Sequence, residues 1–175
     1  VFGIQGIDTR ALTRRIREKG AQQAILSTDI SNPQSLVEKA RKSPGLMGRD
    51  LVKEVTCEKS YDWDESEWSI QNGQTQLEAI KDRPYKVIVY DFGVKRNILR
   101  KLTSAGCKVK VVPATPPADK VLAENPDGIF LSNGPGDPAA VPYAIENIKA
   151  ILGEIPVFGI CLGHQILSLA LNGST

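Results

Sequence analysis

The chain of 175 residues carries a formal net charge of +2, and its 22 basic and 20 acidic residues are mixed along the sequence. This balance argues against nucleic-acid binding, which usually requires a concentrated basic surface. The most apolar stretch, residues 155–171, is interrupted by glycine, histidine and glutamine, so we expect no membrane span.

Cysteine and histidine are too scarce to suggest a metal site or a disulfide framework. Cys57, Cys107 and Cys161 are widely and irregularly spaced, and His164 is the single histidine. We therefore predict no metal site and expect a reduced, cytoplasmic protein. The sequence has no signal peptide and begins with Val rather than Met, so its natural N-terminus is expected upstream.

Residues 1–68 form the first predicted part of the chain. The segment "GIDTRALTRRIREKG" predicts a helix with Asp8 or Thr9 as its N-cap and Gly20 as its C-terminal stop. A second helix is predicted for "NPQSLVEKARKSPG". Residues 69–84 are polar and weakly periodic, which is typical of a linker.

Residues 85–175 alternate between strand-like and helical patterns. Strands are predicted for "YKVIVYD", "CKVKVVP", "DGIFLSN" and "PVFGI", and a helical pattern follows each of them. This alternation predicts an α/β fold in which helices flank both faces of a parallel sheet. In such sheets, ligands bind beyond the carboxyl ends of the strands.

The last predicted strand ends at a sharp corner, "PVFGICLGHQ", that contains Cys161. Gly159 and Gly163 flank this cysteine at the spacing of a nucleophile elbow, which exposes the nucleophile above the sheet. The N-terminus of the following helix favours a thiolate, and the N–H of Leu162 is placed to donate to an oxyanion. The alternative is a small buried cysteine without a catalytic role.

A second loop, "LSNGPGDP", follows the third predicted strand at residues 131–138. It matches neither the dinucleotide-binding pattern nor the phosphate-binding P-loop. Two interpretations stay open: a structural turn, or a backbone donor that faces Cys161 across one crevice. His164 lies three residues after the cysteine, but it points along the helix flank. We therefore favour a packing or supporting role for His164, which leaves the thiol without a general base.

Together these motifs resemble class I (triad-type) glutamine amidotransferases, whose fold is flavodoxin-like. The match is strongest with the small-subunit family of glutamine-dependent carbamoyl-phosphate synthases, through "GIDTRALTRRIREKG", "YDFGVKRNILR", "PDGIFLSNGPGDP" and "PVFGICLGHQ". The resemblance covers nearly the whole chain. It implies that residues 1–68 are the remainder of a small-subunit N-terminal domain and residues 85–175 the N-terminal part of the amidotransferase domain.

The resemblance also implies roles for five residues. Cys161 attacks the glutamine amide, and a γ-glutamyl thioester forms as ammonia leaves. The backbone N–H groups of Leu162 and Gly134 form the oxyanion hole, while Gly136 and Gln165 hold the substrate. The implied partners are L-glutamine and a large subunit that makes carbamoyl phosphate for arginine and pyrimidine synthesis. ATP and magnesium are expected on that large subunit, and no cofactor in this chain.

The chain departs from the family pattern downstream of the elbow. The family's catalytic histidine and glutamate follow the elbow helix, whereas this sequence has no histidine after His164 and no carboxylate after Glu154. We therefore expect an internal fragment, with its general base outside the chain and little glutaminase activity alone. Two alternatives stay open: a non-hydrolytic docking module of the same fold, or an α/β-hydrolase-like or DJ-1-like cysteine enzyme.

Overall fold

The structure is a computed structural model, and it describes residues 3–29, 31–71, 73–74 and 83–175. The predicted linker, residues 69–84, falls largely outside this description, because residues 72 and 75–82 are not part of it. The linker therefore stays a prediction.

Contacts within the chain divide it into two compact units, Val1–Gly45 and Leu46–Thr175. This division lies earlier in the sequence than the predicted domain boundary at residue 68. A division based on contacts within the chain differs from a division into segments that fold independently. The predicted domains, residues 1–68 and 85–175, therefore stay predictions.

The first unit contains two helices, as the sequence predicts. Helix α1 (Thr9–Lys19) begins after Asp8, whose side chain accepts a hydrogen bond from the N–H of Ala11 at 2.9 Å. It ends at Gly20, which has a φ of +75°. Helix α2 (Pro33–Lys42) has proline in its first turn. Neither helix has a buried residue.

The second unit contains five further helices and seven strands in its described part. The helices and strands, in chain order, are α3 (Val52–Val55), β1 (Tyr61–Trp63), β2 (Trp68–Ser69), β3 (Gly73–Gln74), β4 (Tyr85–Tyr90), α4 (Arg96–Ser104), β5 (Cys107–Val112), α5 (Ala118–Leu122), β6 (Gly128–Leu131), α6 (Pro142–Ile151), β7 (Val157–Gly159) and α7 (Leu162–Ala170). A short 3₁₀ helix, Pro138–Ala140, precedes α6.

Five of these strands form one sheet in the order β1-β5-β4-β6-β7, in which the last four strands are parallel. The predicted parallel α/β sheet is thereby confirmed. Strand β1 is an addition that the sequence did not indicate, since it pairs antiparallel with β5 and places Trp63 opposite Val109. Three residues are too short a run to show a period of two. The strand order reverses between β4 and β6, so a crevice is expected at their carboxyl ends.

Apolar side chains cover both faces of the sheet, because successive strand residues point to opposite sides. One cluster joins Val89 of β4 and Val111 of β5 to Leu99 of helix α4. The larger cluster joins the other face to helices α5, α6 and α7, and it includes Ile88, Tyr90, Ile129, Leu131, Val121, Ile148, Ile151, Leu162 and Ile166. Helices therefore flank both faces, as predicted.

Within the part of the chain that the structure describes, no helix combines the length and apolar character needed to cross a membrane.

Candidate active site

Cys161 occupies the corner between strand β7 and helix α7. Its backbone has φ +54° and ψ −114°, and it is one of the few residues other than glycine with a positive φ. A side-chain-bearing residue rarely adopts such a conformation, which stores strain and is common at functional sites. The corner therefore has the strained backbone that the elbow spacing predicts.

Both positions that flank Cys161 require glycine, because neighbouring backbone leaves no room for a Cβ atom. A Cβ atom on Gly159 would lie 2.6 Å from the carbonyl carbon of Gly163. A Cβ atom on Gly163 would lie 2.6 Å from the carbonyl carbon of Leu131 and closer still to its oxygen. The N–H of Gly163 also donates to the carbonyl of Ser132 at 3.0 Å. Helix α7 thus begins in direct contact with the end of β6.

The three thiols differ in exposure. Cys161 is exposed, whereas Cys57 and Cys107 are partly buried. Burial, reinforced by the nearby Asp91 carboxylate, raises the pKa of the Cys57 thiol to about 11, and burial also raises the pKa of Cys107. A thiol of raised pKa forms little thiolate near neutral pH, so Cys161 is the thiol best placed for chemistry.

The two residues predicted to supply the oxyanion donors, Gly134 and Leu162, are in close contact. A Cβ atom on Gly134 would collide with the carbonyl oxygen of Phe92 and lie 2.7 Å from Cδ2 of Leu162. Among the described residues, neither the N–H of Gly134 nor that of Leu162 donates a hydrogen bond. An oxyanion hole needs unpaired backbone donors of this kind, and the N–H of Leu162 belongs to the residue that directly follows Cys161.

Ser132 and Asp91, which the sequence did not single out, fix the ends of β6 and β4. Ser132 is fully buried, and its hydroxyl accepts the N–H of Phe92 at 2.8 Å. Asp91 accepts the N–H groups of Gly93 and Val94 at 2.9 and 2.8 Å. An Asp with a glycine two residues later at a strand end is a sequence signal for such a turn, and it is present in "YDFGV".

Gly136 and Gln165, the two predicted substrate-binding residues, line one pocket of about 250 Å³. Leu46 and Met47 also line it. The volume lies just below the roughly 300 Å³ at which pockets for drug-sized ligands begin, and so suits a small ligand. Cys161 does not line this pocket.

Another cavity, of about 340 Å³, lies at the opposite end of the sheet. Lys86 and Lys108, at the amino ends of β4 and β5, line it. Because ligands of such sheets bind beyond the carboxyl ends of the strands, we place the active site at the elbow instead.

Asp137 also lines the pocket of about 250 Å³ and joins its own loop to Gly48, the residue after Met47. Its carboxylate accepts the N–H of Gly48 at 2.9 Å and that of Ala139 at 2.9 Å. These two hydrogen bonds, of which the one from Gly48 has the larger effect, hold the pKa of Asp137 below its usual range. The hydrogen bonds therefore stabilise the loop fully above about pH 4, the ordinary pKa of an aspartate, and are lost as the pH falls through the lowered pKa.

Replacing Asp137 with asparagine is expected to loosen the loop at Gly48. The asparagine side chain has only one oxygen that can accept a hydrogen bond. Its NH₂ group would then face one of the two backbone N–H groups, which loses its carboxylate acceptor there. At pH 7 the Gly48 amide should exchange its hydrogen about fivefold faster in Asp137→Asn. Asp127→Asn serves as the control, because Asp127 accepts the N–H of Lys86 elsewhere in the unit. Equal Gly48 exchange in wild type and Asp137→Asn would show that this carboxylate does not hold the loop.

His164 is exposed on helix α7, which contradicts the packing role that the sequence suggested. A supporting role for His164 stays a prediction. No hydrogen bond joins its imidazole to Cys161 in the described part of the chain. This geometry agrees with the expectation that His164 is not the general base.

Comparison with known proteins agrees with these motifs. The family "Glutamine amidotransferase class-I" matches residues 88–175, which include the elbow and the loop after β6. The "Carbamoyl phosphate synthase small chain" of Syntrophotalea carbinolica is 60% identical over all of this chain, which covers 46% of that protein. The same-named protein of Salmonella typhi is 52% identical, with 46% covered, and the chloroplastic one of rice (Oryza sativa subsp. japonica) is 49% identical, with 39% covered.

The chain thus spans less than half the length of these relatives. The family match nevertheless includes half of the chain and all five predicted site residues. The resemblance predicted from the motifs is confirmed, and the chain belongs to the class-I glutamine amidotransferase family.

Proposed function

We propose that this chain is part of the glutamine-hydrolysing subunit of a carbamoyl phosphate synthase, with Cys161 as its nucleophile. The observation that carries the proposal is the exposed, strained Cys161. Cys161 is followed by Leu162, whose N–H is unpaired in the described part of the chain and whose side chain packs against Gly134, a residue with a second unpaired N–H. The relatives indicate which kind of class-I amidotransferase this chain belongs to. They match residues 1–87 as well as the 88–175 shared by class-I amidotransferases in general.

In the proposed reaction, the Cys161 thiolate attacks the amide carbon of L-glutamine. A tetrahedral intermediate forms, and its negative oxygen accepts hydrogen bonds from the N–H groups of Leu162 and Gly134. When the intermediate collapses, the C–N bond breaks and the nitrogen leaves as ammonia. It takes up the proton that the Cys161 thiol gave to the general base, which is expected outside this chain. Water then hydrolyses the γ-glutamyl thioester and frees glutamate and the thiol.

The substrate and the later partner follow from the same proposal. Gly136 and Gln165 are proposed to hold the amino-acid end of glutamine, since they share a pocket of suitable size. The ammonia is proposed to pass to a large subunit, which supplies ATP, magnesium and bicarbonate chemistry. A cytoplasmic location is part of the proposal, although the rice relative is named chloroplastic.

The test is the stoichiometry of glutamine hydrolysis by the full-length natural protein. We expect ammonia and glutamate in equal amounts from glutamine, and no turnover of simple carboxylic esters. Ester hydrolysis without glutamine hydrolysis would favour a hydrolase built on the same elbow. A protein that binds its partner but releases no ammonia would favour a docking module.

A further inference from the structure

The side chain of Asn133 joins the loop after β6 to the loop after β4. Its Oδ1 accepts the N–H of Lys95 at 3.0 Å, and its Nδ2 donates to the carbonyl of Gly93 at 2.9 Å. One side chain thus satisfies a donor and an acceptor on a neighbouring loop, as a paired strand residue would. These bonds fix Asn133, whose carbonyl belongs to the same peptide unit as the N–H of Gly134.

Ser132 fixes the orientation of that peptide unit. Its hydroxyl donates to the carbonyl oxygen of Asn133 at 2.8 Å and is held in turn by the N–H of Phe92. In a planar trans peptide the N–H points away from the C=O. Holding the carbonyl of Asn133 therefore sets the direction of the Gly134 N–H.

The two loops are also in close contact. Gly134 has no room for a side chain against the carbonyl of Phe92. Gly93 has a φ of +116°, and a Cβ atom there would lie 3.2 Å from Cδ of Pro135. The donor at Gly134 is therefore held on two sides before any ligand arrives, which is the condition under which a dipole stabilises charge most effectively.

We propose that Asn133 and Ser132 are positioning residues that orient the Gly134 N–H toward the developing oxyanion; this inference rests on the proposed glutaminase function. Neither side chain needs to touch the substrate. Because the oxyanion exists only in the transition state and intermediate, their loss lowers kcat more than it raises KM.

The experiment measures kcat and KM for glutamine hydrolysis in the full-length protein, per folded molecule. The folded fraction of each variant is measured by circular dichroism and chemical denaturation, so that loss of folded enzyme is not read as loss of kcat. We expect Asn133→Ala and Ser132→Ala each to lower kcat about tenfold, with KM within about twofold. The matched control is Asn147→Ala on helix α6. It removes a comparable hydrogen bond, 3.0 Å long, from the Asn147 side chain to the carbonyl of Pro116. It should change neither constant.

The outcomes separate this inference from the function on which it rests. If wild type releases no ammonia, or if Cys161→Ser releases it as fast as wild type, the proposed function fails. If wild type is active but Asn133→Ala and Ser132→Ala match Asn147→Ala, the function stands and the positioning inference is overturned. A rise in KM with unchanged kcat would also overturn it, because it would show a contact made equally to the ground state.

Discussion

Cys161→Ser is expected to lower glutamine hydrolysis by about 10³-fold or more in the full-length protein. A serine hydroxyl in the same place is a far weaker nucleophile unless a base activates it, whereas a thiol is partly ionised near neutral pH. Glutamine binding should be retained, since the oxygen is smaller than the sulfur and both pocket residues are unchanged. The measurement is ammonia release at saturating glutamine, with glutamine affinity measured by calorimetry.

The matched control for this change is Cys107→Ser. Cys107 is partly buried and its pKa is raised by burial, so its thiol has no place in the proposed reaction. Cys107→Ser should keep full activity once it is corrected for the folded fraction. Wild-type rates of ammonia release in Cys161→Ser would instead show that Cys161 is not the nucleophile.

Gly163→Ala is expected to destabilise the second unit by about 3 kcal/mol or more and to abolish activity. The new methyl group would overlap the carbonyl of Leu131, so either β6 or the start of α7 has to move. Both movements displace the N–H of Leu162 and the strained backbone of Cys161. Chemical denaturation gives the free energy of unfolding, and iodoacetamide labelling reports the state of Cys161.

Gly128→Ala is the control for this steric argument. Gly128 lies in the same strand β6, and a Cβ atom there would make only an ordinary contact, 3.5 Å from the carbonyl oxygen of Pro156. It should alter the free energy of unfolding by less than about 1 kcal/mol. If Gly163→Ala and Gly128→Ala unfold at the same denaturant concentration, the close contact between Gly163 and Leu131 does not make glycine necessary for stability at the elbow.

Sequence patterns predicted the parallel strands and the corner because these depend on local chemistry. The β-branched run of β4 and the two glycines around Cys161 each encode their own conformation within a few residues. The capping of α1 by Asp8 is similarly local, since the carboxylate reaches an N–H three residues later. Such features need no knowledge of the rest of the fold.

The contacts that organise the site were not predictable in the same way. The hydroxyl of Ser132 meets the N–H of Phe92 forty residues away, and Asp137 meets Gly48 eighty-nine residues away. Which strands become neighbours decides these pairs, and strand order is not written in any single motif. The exposure of His164 was missed for the opposite reason, because a helix face predicts direction but not whether another element covers it.

The central claim is that Cys161 forms a covalent γ-glutamyl thioester, and the most direct test is to trap that intermediate. The full-length protein would be mixed with glutamine, quenched in acid within the first turnovers, digested and analysed by mass spectrometry. We predict a glutamyl group on the peptide that contains Cys161, removable by hydroxylamine and absent in Cys161→Ser. Ammonia release with Cys161 unmodified in every quenched sample, or a glutamyl group on another residue, would contradict the claim.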